Sequence, residues 1–103
     1  MTFATYGRLG AKPGEGATLA EILTRPSTEL AAVGCLLYEV GIGDDDPDGV
    51  HVIELWTSAA AHKESLTLES VRAAIAEAMP LLDGAPTGGE FEVVGSPLRE
   101  SGS

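Results

Sequence analysis

Asparagine and glutamine are both absent from this 103-residue chain, so no side-chain carboxamide can take part in any site it builds. Cysteine is almost absent too. Cys35 stands alone, which excludes an intrachain disulfide and any multi-cysteine zinc site, and points to a reducing cytoplasm. Positive charge is scarce: six Lys and Arg against sixteen Asp and Glu give a formal net charge of -10, and the six are scattered. Such a chain is repelled by phosphate backbones and anionic lipid, which argues against nucleic-acid and membrane partners. No apolar run approaches the ~18 residues of a membrane span, and no basic segment followed by a long apolar one opens the chain. The expectation is a soluble, unexported protein.

What is present is enough for one modest core. At 103 residues and 44% apolar content the chain fits a single domain, with residues 2–95 as its folded part and 96–103 as a loosely ordered polar tail. Residues 2–10 alternate as a first strand and end at the Lys12-Pro13-Gly14 turn. Leu19, Ile22, Leu23, Leu30 and Val33 recur at helical spacing, but Pro26 lies in their midst and removes a backbone hydrogen bond, so a kink or break is expected near Arg25. Gly34 suits the end of this helix, and Cys35–Ile42 runs apolar and β-prone.

Asp44 to Gly49 reads as a hairpin-type loop before a third strand, Val50 to Trp56. Ser58 is placed to cap a short helix through about Leu66. Thr67 is placed to cap a second, with Val71, Ala74, Ile75, Ala78 and Met79 as its apolar face. Pro80 and the Gly84 to Gly89 segment end the helical region, and Phe91 to Val94 forms the last strand. The order β-α-β-β-α-β, with its second helix split, predicts an α+β ferredoxin-like fold: an antiparallel sheet with helices on one face. The other sheet face then needs a cover, and a second copy of the chain supplies one, so a homodimer is expected.

Familiar catalytic patterns fail on inspection. Asp44, Asp46, Asp48 and Gly49 match positions 1, 3, 5 and 6 of a calcium-binding EF-hand loop, but its twelfth position is Leu55 and its flanks are strands. The acidic loop is a solvated turn on this reading. Gly10 to Gly16 has the glycines of a phosphate loop without the Gly-Lys-Ser/Thr that completes one. No Gly-x-Ser-x-Gly elbow exists, Cys35 falls in a strand expected to be buried, and only His51 and His62 could act as bases, which disfavours a hydrolase. His51 and Glu54 lie on opposite strand faces, and no His-x-x-x-His or Glu-x-x-His pair occurs, so no catalytic metal is expected.

The segment Ile53 to Leu66 concentrates the remaining chemistry at a strand-to-helix junction. Alternation puts Val50, Val52, Glu54 and Trp56 on one face of the third strand. Trp56, the chain's one tryptophan, can be core or the wall of a pocket. A carboxylate pointing the same way is costly unless it is satisfied, so Glu54 either meets a cation such as Arg72 or lines a polar cavity. His62, four residues past the helix cap, is near the mouth of such a cavity or on the surface.

Taken in order, these residues resemble a known family. Lys12-Pro13-Gly14, the run Gly34-Cys35-Leu36-Leu37-Tyr38-Glu39-Val40, Glu54-Leu55-Trp56-Thr57-Ser58, Ala61-His62, Ser65-Leu66, Val71-Arg72-Ala73-Ala74-Ile75 and Val93-Val94-Gly95 are similar to the antibiotic biosynthesis monooxygenase (ABM) domain, including its quinol monooxygenases. The resemblance covers residues 3–95. It implies a ferredoxin-like subunit that pairs into a dimeric α/β barrel and oxygenates a small electron-rich aromatic (a hydroquinone, phenol or anthrone) with molecular oxygen and no cofactor. It further implies His62 and Glu54 as catalytic groups, His62 first as base because an ordinary histidine titrates near neutrality, and Trp56, Tyr38, Arg72, Leu66 and Ile75 around the substrate. Many relatives carry histidines where Ser65 and Ser70 stand, and the haem-degrading branch uses a first-strand asparagine that this chain lacks. A small-molecule binding dimer without turnover, or an isomerase or decarboxylase on the same barrel, are the competing functions.

Overall fold

The structure, a computed structural model, describes residues 1–99. Among the described residues, four strands and four helices follow in the order β1 (Phe3–Gly10), α1 (Gly16–Leu23), α2 (Thr28–Ala32), β2 (Cys35–Gly43), β3 (Asp46–Trp56), α3 (Ala59–Ser65), α4 (Glu69–Ala78) and β4 (Thr87–Glu92), with a 3-10 turn at Met79–Leu81. The strands form one antiparallel sheet in the order β2-β3-β1-β4, the ferredoxin-like α+β arrangement. Among the described residues no helix is long and apolar enough to cross a membrane.

Register sorts the side chains. Phe3 pairs with Trp56, Thr5 with Glu54 and Leu9 with Val50, so these point to the helices; Ala4, Tyr6 and Arg8, opposite Leu55, Ile53 and His51, point away. The helix-side face is buried in two clusters. Ala11, Leu19, Ile22, Val50, Val52 and Ala78 form one, and Phe3, Trp56 and Ala61 form the other, joined by Leu30, Val33 and Cys35 at its edge. The far face carries Tyr6, Leu37, Ile53 and Phe91 exposed, with Tyr6 and Phe91 rings 6.2 Å apart.

The break expected near Arg25 is present: α1 ends at Leu23, Thr24 caps it, and α2 begins at Thr28 beyond Pro26. Gly34, at φ 113, then turns the chain into β2, a conformation open to glycine but strained for other residues. Ser58 caps α3 as expected, its Oγ accepting from the Ala61 N–H at 3.0 Å.

Five expectations need correction. β3 begins at Asp46, four residues early, because the turn itself is only Asp44-Asp45 and Gly43 already pairs with Asp46. Asp44 and Asp45 are the exposed turn expected, but Asp46 and Asp48 are structural: Asp48 accepts from the Gly14 and Gly16 N–H groups at 3.1 and 3.0 Å, and Asp46 takes both Arg8 Nε and Nη2. Thr67 does not cap α4; its hydroxyl donates back to the Glu64 carbonyl at 2.7 Å, and Leu68 stands at the cap. β4 starts at Thr87 and takes in Gly88 and Gly89, since the bare glycines let it approach Gly7 and Tyr6 of β1. In α4, Ala78 is buried, whereas Ile75 and Met79 of the expected apolar face are 46% and 61% exposed. Of the expected polar tail, residues 96–99 form a turn in which Ser96 Oγ accepts from Leu98 N–H, and residues 100–103 lie outside the described residues.

Candidate functional site

Between the sheet and the two helical pairs lies a cavity of about 370 Å³, within the range of small-molecule sites. β2 and β3 provide its floor through Tyr38, Glu54 and Trp56; the α1–α2 break gives Arg25 and Pro26 on one side, and α3 and α4 give His62, Leu66 and Val71 on the other. Most of this lining is aliphatic or aromatic.

Strand alternation places Glu54 and Trp56 on one face, and the chain then ties them together: the indole Nε1–H donates to Glu54 Oε1 at 3.0 Å. Trp56 is 1% exposed, so it is core and cavity wall at once. Its N–H needed an acceptor, and Glu54 needed a donor; each answers the other. Among the described residues, no other side chain donates a hydrogen bond to this carboxylate.

Tyr38 stands opposite Glu54 in the β2–β3 register. Burial first, then the negative charge of Glu54 and the neighbouring Cys35, push its phenol up to about 12. Tyr38 thus stays a neutral O–H, a donor rather than a base. His62 lies edge-on to Trp56, ring centroids 5.3 Å apart at 64°, and 5.8 Å from Phe3. Ser65, 2% exposed, spends its hydroxyl proton on the His62 carbonyl at 2.6 Å and so braces the turn of α3 that carries the imidazole. Cys35 is half-buried at the start of β2, and desolvation raises its thiol, the opposite of a reactive nucleophile.

The structure brings His62, Glu54, Trp56, Tyr38, Leu66 and Ile75 onto one cavity. Arg72 is not among them. It is exposed on α4, one helical step of 100° from Val71, and Glu54 finds the Trp56 indole instead of that guanidinium. The cavity's arginine is Arg25, which sequence reasoning treated only as the site of a helix break. Its Nη1 and Nη2 donate to both carboxylate oxygens of Glu77 at 2.6 and 2.9 Å, joining the α1–α2 break to α4 across the cavity rim. A signal for Glu77 was available: Ser70, Ala73, Ala74 and Glu77 follow the i, i+3, i+4, i+7 spacing of one helix face, and all four line the cavity. Among the described residues, no three His, Cys, Asp or Glu side chains group as a metal site would require.

The family model for antibiotic biosynthesis monooxygenase matches residues 2–77. The chain belongs to the ABM family. A solved structure of a candidate ABM protein from Chloroflexus aurantiacus J-10-fl is 35% identical to this ABM chain, covers 93% of it and 96% of its own length, and superposes with a TM-score of 0.83. A counterpart from Deinococcus radiodurans is 25% identical over 99% of this chain and 100% of its own, with a TM-score of 0.71. One from Caulobacter crescentus CB15, at 24% identity, 91% coverage of both chains and a TM-score of 0.75, shows the shared ABM fold alone. No curated protein matches.

Proposed function

We propose that this ABM chain is a monooxygenase that oxidises a small electron-rich aromatic, a phenol, hydroquinone or anthrone, with molecular oxygen and without metal or flavin. The observation that carries the reading is the cavity of about 370 Å³ that sets the Glu54 carboxylate and the His62 imidazole beside the Trp56 ring in an otherwise apolar lining. For a phenol the reaction balances as ArOH with a para C–H plus O₂ giving quinone plus water, so the substrate itself supplies both electrons and both protons. The protein's task is to make that substrate a better donor. Removing the hydroxyl proton does so, and a dry cavity with a fixed base favours the removal.

His62 is the first candidate for the base, with Glu54 beside it; the neutral Tyr38 O–H can donate to the phenolate oxygen that develops. Trp56 supplies the wall on which the aromatic ring packs. The exposed far face of the sheet, with Tyr6, Leu37, Ile53 and Phe91, fits pairing of two copies into a dimeric α/β barrel, in a reducing cytoplasm that suits the lone Cys35 thiol.

Metal-stripped protein should consume oxygen with members of a phenol, hydroquinone and anthrone panel; His62→Ala should slow uptake by about 10²-fold or more, the usual scale of general-base loss, and Trp56→Ala, which removes the packing wall, should slow it too. Rates equal with and without the protein would sink the reading. The spent Ser65 hydroxyl and the single histidine of the cavity favour a second one, a binding protein without turnover. Calorimetric binding of the same aromatics with no oxygen uptake would select it.

A further inference from the structure

Whatever Tyr38 offers a phenolate at the floor, the cavity is poorly matched to a ligand that arrives carrying a carboxylate. Glu54 and Glu77 both line it, and among the described residues Arg25 is the only arginine or lysine that does. Both guanidinium nitrogens that face outward from the Arg25 fork are held by Glu77 at 2.6 and 2.9 Å, and Glu21 one helical turn earlier adds negative charge nearby. The pair sits at the rim, its side chains 51% and 49% exposed, whereas Glu54 is half-buried at the floor. A hydroxylated ring that donates to Glu54 would therefore extend its other end toward a cation that is already neutralised.

We propose that Glu77 sets ligand selectivity: by occupying Arg25 it masks the cavity's cation, so that the site takes neutral hydroxylated aromatics and rejects those carrying a carboxylate. The proposal rests on the reading of the cavity as the ligand site. Geometry supports the masking, because the bidentate pair takes the Nη1–Nη2 edge of the guanidinium and sets a full negative charge against it, so a second carboxylate meets a cation whose charge is already balanced. Chemistry supports it as well. Hydrogen bonding to Arg25 holds the Glu77 carboxyl below the usual range, so at neutral pH it is ionised, as an aromatic carboxylic acid is. An incoming carboxylate must displace Glu77 or crowd beside it as a like charge, and it still faces Glu54. A neutral phenol pays neither cost.

The test is anaerobic calorimetry on the full chain with 2-naphthol and its carboxylated counterpart, 6-hydroxy-2-naphthoate. Wild-type protein should bind the neutral compound at least about tenfold tighter. Glu77→Gln should tighten the acid about tenfold while moving the neutral compound less than about threefold, and Arg25→Gln/Glu77→Gln should return the acid to weak binding. Arg25→Gln alone, which leaves Glu77 uncompensated, should widen the wild-type gap and gives a second reading if Glu77→Gln fails to fold. Equal wild-type affinities, an unmoved ratio in Glu77→Gln, a gain that survives in the double variant, or no binding of either compound would each overturn the proposal. With oxygen excluded, the ratio is read independently of turnover. A chain that shows the ratio yet consumes no oxygen in air defeats only the oxygenase reading.

Discussion

The bond between Trp56 Nε1–H and Glu54 Oε1 holds the carboxylate at the cavity floor, and a double-mutant cycle measures its strength directly. Trp56→Phe keeps an aromatic ring and deletes the donor. The indole is 1% exposed and its acceptor is a carboxylate, so the lost hydrogen bond should contribute about 1.5–3 kcal/mol. The smaller ring also leaves roughly 40 Å³ unfilled, worth about 1 kcal/mol at ~24 cal/mol per Å³ of residual cavity. Together Trp56→Phe should cost about 2.5–4 kcal/mol in urea unfolding at neutral pH, within the 5–15 kcal/mol typical of a domain of this kind. Glu54→Leu removes the acceptor and orphans the indole N–H. The double variant removes both, and the coupling energy should be about 1.5–3 kcal/mol. Coupling below about 0.5 kcal/mol, the scatter expected of independent sites, would refute the view that the indole fixes the carboxylate and would remove Glu54's claim to a fixed place at the substrate.

Tyr38 should titrate late, near pH 12, by ultraviolet tyrosinate absorbance, and Tyr38→Phe should abolish that step. Because its folded pKa lies above the ordinary 10.0, the stability it confers is whole below pH 10 and is lost as pH rises through about 12; the loss is at most about 2–3 kcal/mol and should be absent in Tyr38→Phe, whereas equal alkaline unfolding of the two proteins would contradict the assignment. Ile53, 52% exposed on the far sheet face, should tolerate Ile53→Lys within about 0.5 kcal/mol as a single subunit. Light scattering should then show the wild-type chain as a dimer and the variant as a monomer, and a wild-type monomer at micromolar concentration would end the barrel reading.

Much of this architecture was legible in local patterns. Period-two alternation from Val50 to Trp56 gave the facing of Glu54 and Trp56, and Pro26 announced the helix break. What escaped is what depends on distant partners. Gly88 and Gly89 look like a loop by composition, yet they are strand because Gly7, more than eighty residues earlier, leaves room for a close approach. Pro47 and Gly49 suggest a turn, yet the β3 ladder begins ahead of both, and Asp48 is recruited by the N–H groups of Gly14 and Gly16. Thr67 carried a good capping residue's chemistry, but the preceding turn claimed its hydroxyl first. At the site, Arg72 and Arg25 were equivalent by charge. Only tertiary packing turns one toward solvent and gives the other to Glu77.

The interruption between α1 and α2 divides labour along the chain. α1 is anchored by Leu19 and Ile22, 0% and 5% exposed, and pinned at its start by Asp48, whereas α2 buries no residue at all. The joint that separates them, Thr24 to Ser27, carries three of the groups around the cavity rim, Arg25, Pro26 and Ser27. Changes of length or sequence in these four residues would reshape the opening while the load on Leu19 and Ile22 stays where it is. Lineages that share this scaffold can therefore drift in what they admit without renegotiating how they fold.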